Sequence, residues 1–189
     1  NKVYDATTAA TVSGSSSDVL GSDVVTFSQS AVFANKNVGT GQTVNVTSIS
    51  LSGADAGNYS LQNTTASTTA DISRASLSVT GASASNKVYD ATTAATVGGG
   101  AVTALGSDSV TLSGANATFA NKNVGTGKTV TTAYTLSGTD AANYTLVQAS
   151  GLTADITAKA LTAAYTASNK VYDALTGATV AGSSSDVIG

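Results

Sequence analysis

Cysteine, proline, methionine, tryptophan, histidine and glutamate are all absent from the 189 residues. Each absence removes a class of behaviour. Without cysteine there is no disulfide staple and no thiolate chemistry. Without histidine, cysteine or glutamate the usual general acid–base and nucleophile-activating groups are missing. No enzyme activity and no cofactor are therefore expected. Charge is scarce as well, with 10% of residues charged and a net charge of −3. That balance lacks the electrostatic footprint of a nucleic-acid binder and any basic patch for anionic lipid. No apolar run reaches the roughly 18 residues of a membrane span, so no membrane insertion is expected in this segment.

Ser and Thr take up much of the chain instead, 57 of 189 residues, with Ala, Gly, Val and Asn supplying most of the rest. An apolar content of 41% argues for a folded chain over a disordered one.

The chain is repetitive. NKVYDATTAATV at 1–12 recurs unchanged at 86–97 and begins again as NKVYDALTGATV at 169–180. FANKNVGTG at 33–41 returns at 119–127, LSGADAGNYSL at 51–61 pairs with LSGTDAANYTL at 136–146, and TADIS at 69–73 with TADIT at 153–157. A period of about 84 residues is too long for a solenoid coil and suits a small domain. The expected division is a first module over 1–73 lacking its opening strand, a complete module over 74–157, and the opening part of a third over 158–189.

Within the period, apolar residues alternate with Ser, Thr and Asn. Val110, Leu112, Ala117 and Phe119 sit at period-two spacings, and Val130, Thr132, Tyr134 and Leu136 share one face. This is the pattern of half-buried antiparallel strands. Turn signals every 8 to 12 residues give about seven strands per copy, which points to an all-β, immunoglobulin-like sandwich. The expected core of the complete copy is Leu77, Val79, Val88, Tyr89, Val97, Val110, Leu112, Phe119, Val124, Val130, Leu136, Tyr144, Leu146 and Ile156. The first copy has one extra residue between GTG and LSG, so Val44 and Val46 differ in parity from Ile49 and Leu51. Either a β-bulge near Thr47–Ser48 or an indel in a turn would absorb it.

Asp55, Gly57 and Tyr59 precede Leu61, and Asp140, Ala142 and Tyr144 precede Leu146. The arrangement is similar to the tyrosine corner, in which a Tyr near the start of strand F bonds back to the backbone. Asp55, Tyr59, Asp140 and Tyr144 are therefore the expected structural motif, each Asp shaping the turn before its Tyr.

Taken together, KVYDATT, FANKNVGTG and LSGADAGNY resemble the YDG-type repeat, related to the MBG repeats. Such repeats occur in tandem arrays in filamentous-haemagglutinin-like bacterial adhesins. Where the family usually carries Gly after Tyr-Asp, Ala6, Ala91 and Ala174 stand here. The resemblance implies export to the cell surface and a role in adhesion or aggregation.

Other motifs have plainer readings. GTGKT at 125–129 lacks the first Gly of a phosphate-binding loop and reads GTGQT in the first copy, so a hairpin turn is expected. No two Asp lie closer than five residues and there is no closing Glu, so an EF-type calcium loop is not expected and no metal site is assigned. In Lys2/Asp5, Lys87/Asp90 and Lys170/Asp173, Asp capping the following Thr amides with Lys solvated is favoured over a covalent Lys–Asx crosslink. Asn45, Asn58, Asn63, Asn116 and Asn143 begin glycosylation sequons, which composition alone would produce often.

These readings converge on a stalk or spacer repeat of an extracellular, cell-surface adhesin. The expected partners are neighbouring repeats of the same protein, and strand donation between chains is expected to give a homo-oligomer or filament. The alternative is a glycan- or host-surface-binding adhesive module.

Overall fold

The alternation of Val, Ile and Phe with Ser and Thr is realised as strands along the whole chain. The computed structural model describes residues 1–188, and the protein is all β. The first stretch supplies β1 (Lys2–Val3), β2 (Thr26–Phe33), β3 (Gly39–Ser52), β4 (Ala66–Ser73) and β5 (Ala75–Ser78). Four short strands follow: β6 (Ser83–Ala84), β7 (Lys87–Val88), β8 (Ala94–Ala95) and β9 (Val97–Gly98). Two long ones come next, β10 (Thr111–Phe119) and β11 (Gly125–Ser137), then β12 (Tyr144–Val147), β13 (Thr153–Thr157), β14 (Ala164–Ala167) and β15 (Val180–Ser183). Single 3-10 turns at Ala56–Asn58 and Ala141–Asn143 are the only helical pieces among the described residues, and none is long enough to cross a membrane.

Packing divides the chain into two units. The first gathers 1–79, 101–113 and 135–147, and the second gathers 80–100, 114–134 and 148 onward. They interleave along the sequence. The reason is visible in the first unit's core. Tyr4, Phe33, Val44 and Ile72 come from the first repeat, while Ala75, Leu77 and Tyr144 come from the second, with Val102, Ala104, Val110 and Leu136 packed against the cluster. Each fully buried aliphatic side chain there contributes about 1.5–3 kcal/mol.

In this unit a sheet of order β1-β4-β3-β2 carries the fold, with β1 parallel to β4 and the other pairs antiparallel. A separate parallel pair joins β5 to β12. The second unit repeats the scheme around Ala117, Phe119, Val130, Ala154 and Ile156. Its strands belong to the sheet β7-β13-β11-β10-β8. The hairpin of β14 and β15 is exposed throughout.

Of the expected core, Leu77, Val79, Phe119, Val130, Tyr144 and Ile156 are buried, and Tyr89, Val97, Val110, Leu112, Leu136 and Leu146 are half-buried. Val88 and Val124 are exposed, contrary to expectation. Val88 falls on the outward parity of its strand, as its counterpart Val3 does.

The parity conflict in the first copy is settled by a bulge. Ser28 pairs with Ser50 but Ser30 pairs with Thr47, so two residues of β3 face one of β2. Ser48 takes the left-handed conformation there, with φ 55°, and Ile49 and Leu51 return to the inward face. The second copy places its extra residue on the opposite strand: β10 is one residue longer than β2, β11 one shorter than β3, and Gly114 in β10 has φ +57°. Moving the inserted residue to the other strand keeps both inner faces apolar.

The two GTG segments are not the tip of a hairpin. They open β3 and β11, and the register against β4 and β13 shifts between Gly39 and Gln42 and between Gly125 and Lys128. Asp71 and Asp155 accept the Gly41 and Gly127 N–H groups at 2.8 Å. Lys128 donates to Asn121 Oδ1 at 2.6 Å, which leaves the phosphate-loop likeness without its lysine.

Candidate functional site

Each Asp-x-x-x-Tyr segment forms one 3-10 turn and then an extended Tyr. The Asp carboxylates do not cap these turns. They reach across: Asp55 Oδ2 accepts the Val24 N–H at 2.8 Å, and Asp140 Oδ2 accepts the Ser109 N–H at 2.9 Å. The Tyr hydroxyls do hold backbone, but 39 residues away and not a few residues upstream. Tyr59 Oη accepts the Leu20 N–H and Tyr144 Oη accepts the Leu105 N–H, both at 2.9 Å. Each hydroxyl then donates to the carboxylate closing the same LGSD turn, Asp23 at 2.7 Å and Asp108 at 2.7 Å. Asp55 with Tyr59, and Asp140 with Tyr144, therefore each clamp two distant turns together.

Around the second clamp the first unit brings in side chains of the first repeat. Tyr4 Oη donates to Asp108 Oδ2 at 2.6 Å, beside the Tyr144 hydroxyl. The Lys36 ammonium pairs with Asp108 Oδ1 and, at 3.1 Å, with Asp140. It also lies 6.0 Å from the centre of the Tyr4 ring. One turn away, Asn143 is buried, accepts the Val38 N–H at 3.0 Å and donates to Asn37 Oδ1 at 3.2 Å. Arg74 Nε donates to the Ala142 carbonyl at 3.0 Å. The parallel pair sets Tyr144 against Ala75 and Leu146 against Leu77.

The electrostatics are those of a saturated ion cluster. The Asp108 side chain is fully buried, while Lys36 keeps a third of its surface. Burial works to raise the Asp108 carboxyl, but hydrogen bonds from Lys36, Tyr4 and Tyr144 outweigh it and hold the group below its ordinary range. Lys36 is pushed above its ordinary value, chiefly by its bond to Asp108 and then by Asp140. Burial, followed by the bond to Asp108, pushes Tyr144 up to about 12. The cluster joins segments distant in sequence.

Sequence reasoning named Asp55, Tyr59, Asp140 and Tyr144 and missed Tyr4, Lys36, Asp108 and Asn143. Three of them stand in the recurrent segments KVYD, FANKNV and NYT, whereas Asp108 lies in the LGSD turn, which the repeats quoted above do not include. The residue identities were visible, but the pairing of Tyr4 with Asp108 across 104 positions has no trace in local spacing.

A second recurrent device lies at each KVYDA turn. Asp5 accepts the Thr7 N–H at 2.9 Å, as expected. Lys2 is not solvated: its ammonium donates to Asp5 at 2.6 Å and to the Thr7 and Ala9 carbonyls at 2.8 and 3.1 Å, and it lies over the Phe33 ring. Lys87 repeats this with Asp90, Thr92, Ala94 and Phe119, and Lys170 with Asp173 and Leu175. The turn forces the next residue left-handed, with φ 62°, 63° and 60° at Ala6, Ala91 and Ala174. That explains the glycine usual at this position in such repeats.

A cleft of about 550 Å³ opens beside this turn and is lined by Lys2, Asp5, Val12, Phe33 and Thr69 among others. Among the described residues no three acidic side chains gather as a metal-holding group.

No curated protein and no solved structure matches the chain. The model of the YDG domain matches residues 1–68 and again residues 73–151. Two matches in tandem, covering most of the sequence and both the KVYDA turn and the tyrosine clamp, make this chain a member of the YDG domain family.

Proposed function

We propose that the chain is a structural spacer, a run of stalk repeats from a secreted or cell-surface bacterial adhesin of the filamentous-haemagglutinin-like kind, without catalytic activity. In this reading the modules are immunoglobulin-like sandwiches of about 84 residues in a semi-rigid rod, and strand exchange between chains builds filaments. One observation carries it: buried Tyr144 and Asp108 of the second repeat complete a core begun by Tyr4 and Lys36 of the first. A fold in which each copy is finished by the next has the array as its working unit, as a spacer requires. The passage from β4 to β5 is a single residue, Arg74, without Gly or Pro, which favours stiffness over a flexible coil.

Small-angle scattering on arrays of two, four and six repeats tests the proposal. A maximum dimension growing in proportion to repeat number supports the spacer; a constant or randomly coiled dimension overturns it. The second reading, a glycan- or host-surface-binding module, draws on the cleft beside the KVYDA turn. Retention of the array on immobilised glycans, lost on Phe33→Ala, would favour it.

A further inference from the structure

Within the first unit, one half of an ionic and hydrogen-bonded joint comes from the first repeat and the other half from the second. The socket is Tyr4, Lys36, the Asn37 side chain and the Val38 N–H; the plug is Leu105, Asp108, Asp140, Asn143 and Tyr144. Both halves occur once more in the chain. A second plug is Leu20, Asp23, Asp55, Asn58 and Tyr59, already held in the same local geometry by its own bonds. A second socket is Tyr89, Lys122 and Asn123–Val124.

Exposure separates the joined halves from these two. Tyr4, Asn143 and Tyr144 are buried, whereas Tyr89 and Tyr59 are only half-buried and Asn58 is exposed. Val38 is half-buried and Val124 is 55% exposed; Leu105 is 38% exposed and Leu20 is 71% exposed. The strand pairing tells the same story. Residues 144–147 form β12 against β5, but 59–62, with nearly the same sequence, form no strand. The counterpart of β5, residues 159–162, is likewise outside any strand, with Leu161 62% exposed.

We propose that the plug at Leu20, Asp23, Asp55, Asn58 and Tyr59 is a docking surface for a second copy of the repeat. The incoming copy presents Tyr89, Lys122 and Asn123–Val124 and lays residues 159–162 parallel to 59–62. The charges are complementary, two carboxylates meeting one ammonium, and Leu161 meets Leu61 as Leu77 meets Leu146. The inference deepens the array reading and rests on it only in taking the partner to be another copy of the repeat. It yields a directional, head-to-tail contact, because the plug and socket are different surfaces.

The absence of cysteine from the chain gives a clean test. Chains carrying Asp23→Cys are mixed with chains carrying Lys122→Cys under mild oxidation, near the millimolar effective concentration of a tethered neighbour. A control mixture carries Lys122→Cys with Thr118→Cys, on an exposed strand position outside the plug. The expected result is a disulfide-linked pair forming at least ten times faster in the first mixture than in the control. A Lys36→Cys, Asp108→Cys chain closing its own disulfide shows that the joint tolerates the substitutions. Equal rates in the two mixtures, with that chain closed, overturn the proposal. The scaling of array length with repeat number is independent of this result, so the spacer reading stands or falls separately.

Discussion

Tyr4 and Tyr144 meet edge to face, ring centroids 5.4 Å apart and planes at 79°, with both hydroxyls on the same Asp108 oxygen. The two residues come from successive repeats. Their contact turns a generic burial of aromatic surface into a specific register, because the shared carboxylate fixes where both rings end. Four measurable consequences follow from this cluster and from the turns around it.

Tyr144→Phe keeps the ring contact and removes one donor and one acceptor. The Leu105 N–H loses its partner and Asp108 loses one of three donors. The expected cost is about 1 kcal/mol, seen as a lower urea midpoint with an unchanged slope. Unaltered stability would reduce Tyr144 to packing alone. Asp108→Asn should cost more, about 2 kcal/mol, since charge-assisted bonds to Lys36 are lost together.

The cluster predicts loss of stability at both ends of the pH scale. Tyr144 is raised from 10.0 to about 12, so its contribution is complete below pH 10 and disappears as pH rises through about 12. Asp108 is lowered from 3.8, so its contribution is present above that value and fades as pH falls through the depressed one. Asp5 and Asp90, lowered to about 2 chiefly by their bonds to Lys2 and Lys87, fade over the same acid window. Melting temperatures recorded by circular dichroism from pH 2 to 12 should show a plateau between about 4 and 10. In Tyr144→Phe the alkaline fall should move or shrink, and an unchanged alkaline limb would contradict the assignment.

Ala91 occupies a left-handed position at φ 63°, where a Cβ is strained. Ala91→Gly should stabilise the second unit by about 0.5–1 kcal/mol, the relief of strain exceeding the added unfolded-state entropy. Ala6→Gly should behave alike. A destabilised Gly variant, measured by chemical denaturation, would show that the turn is not strained.

Gly138 has φ +113°, and a Cβ there would lie 2.3 Å from the Ser109 carbonyl oxygen. Ser109 is the residue whose N–H Asp140 holds. Gly138→Ala should therefore cost about 2 kcal/mol or more and loosen the clamp. Hydrogen exchange should report it as faster exchange at the Leu105 and Ser109 amides. Normal protection in the variant would mean the strand shifts without cost.

The period, the all-β class and most of the inward face were legible in the sequence, because they rest on local rules. Alternation places Leu77, Phe119, Val130 and Ile156 inside whatever the topology, while the extra residue between GTG and LSG left a bulge and a turn indel open, and only the β2–β3 register shows the bulge. Asp55, Tyr59, Asp140 and Tyr144 stood out because their spacing recurs. Tertiary structure alone decided what those residues touch. The Asp-to-Ser109 clamp spans 31 positions, Tyr144 to Leu105 spans 39, and Tyr4 to Asp108 spans 104. Near-identical repeats offer Tyr4 two equivalent aspartates, Asp23 in its own copy and Asp108 in the next, and local chemistry cannot rank them. The choice falls to chain geometry. β5 follows the first repeat's β4 after a single residue and pairs in parallel with β12, and the second repeat's Tyr144 and Asp108 then lie over Tyr4 and Lys36.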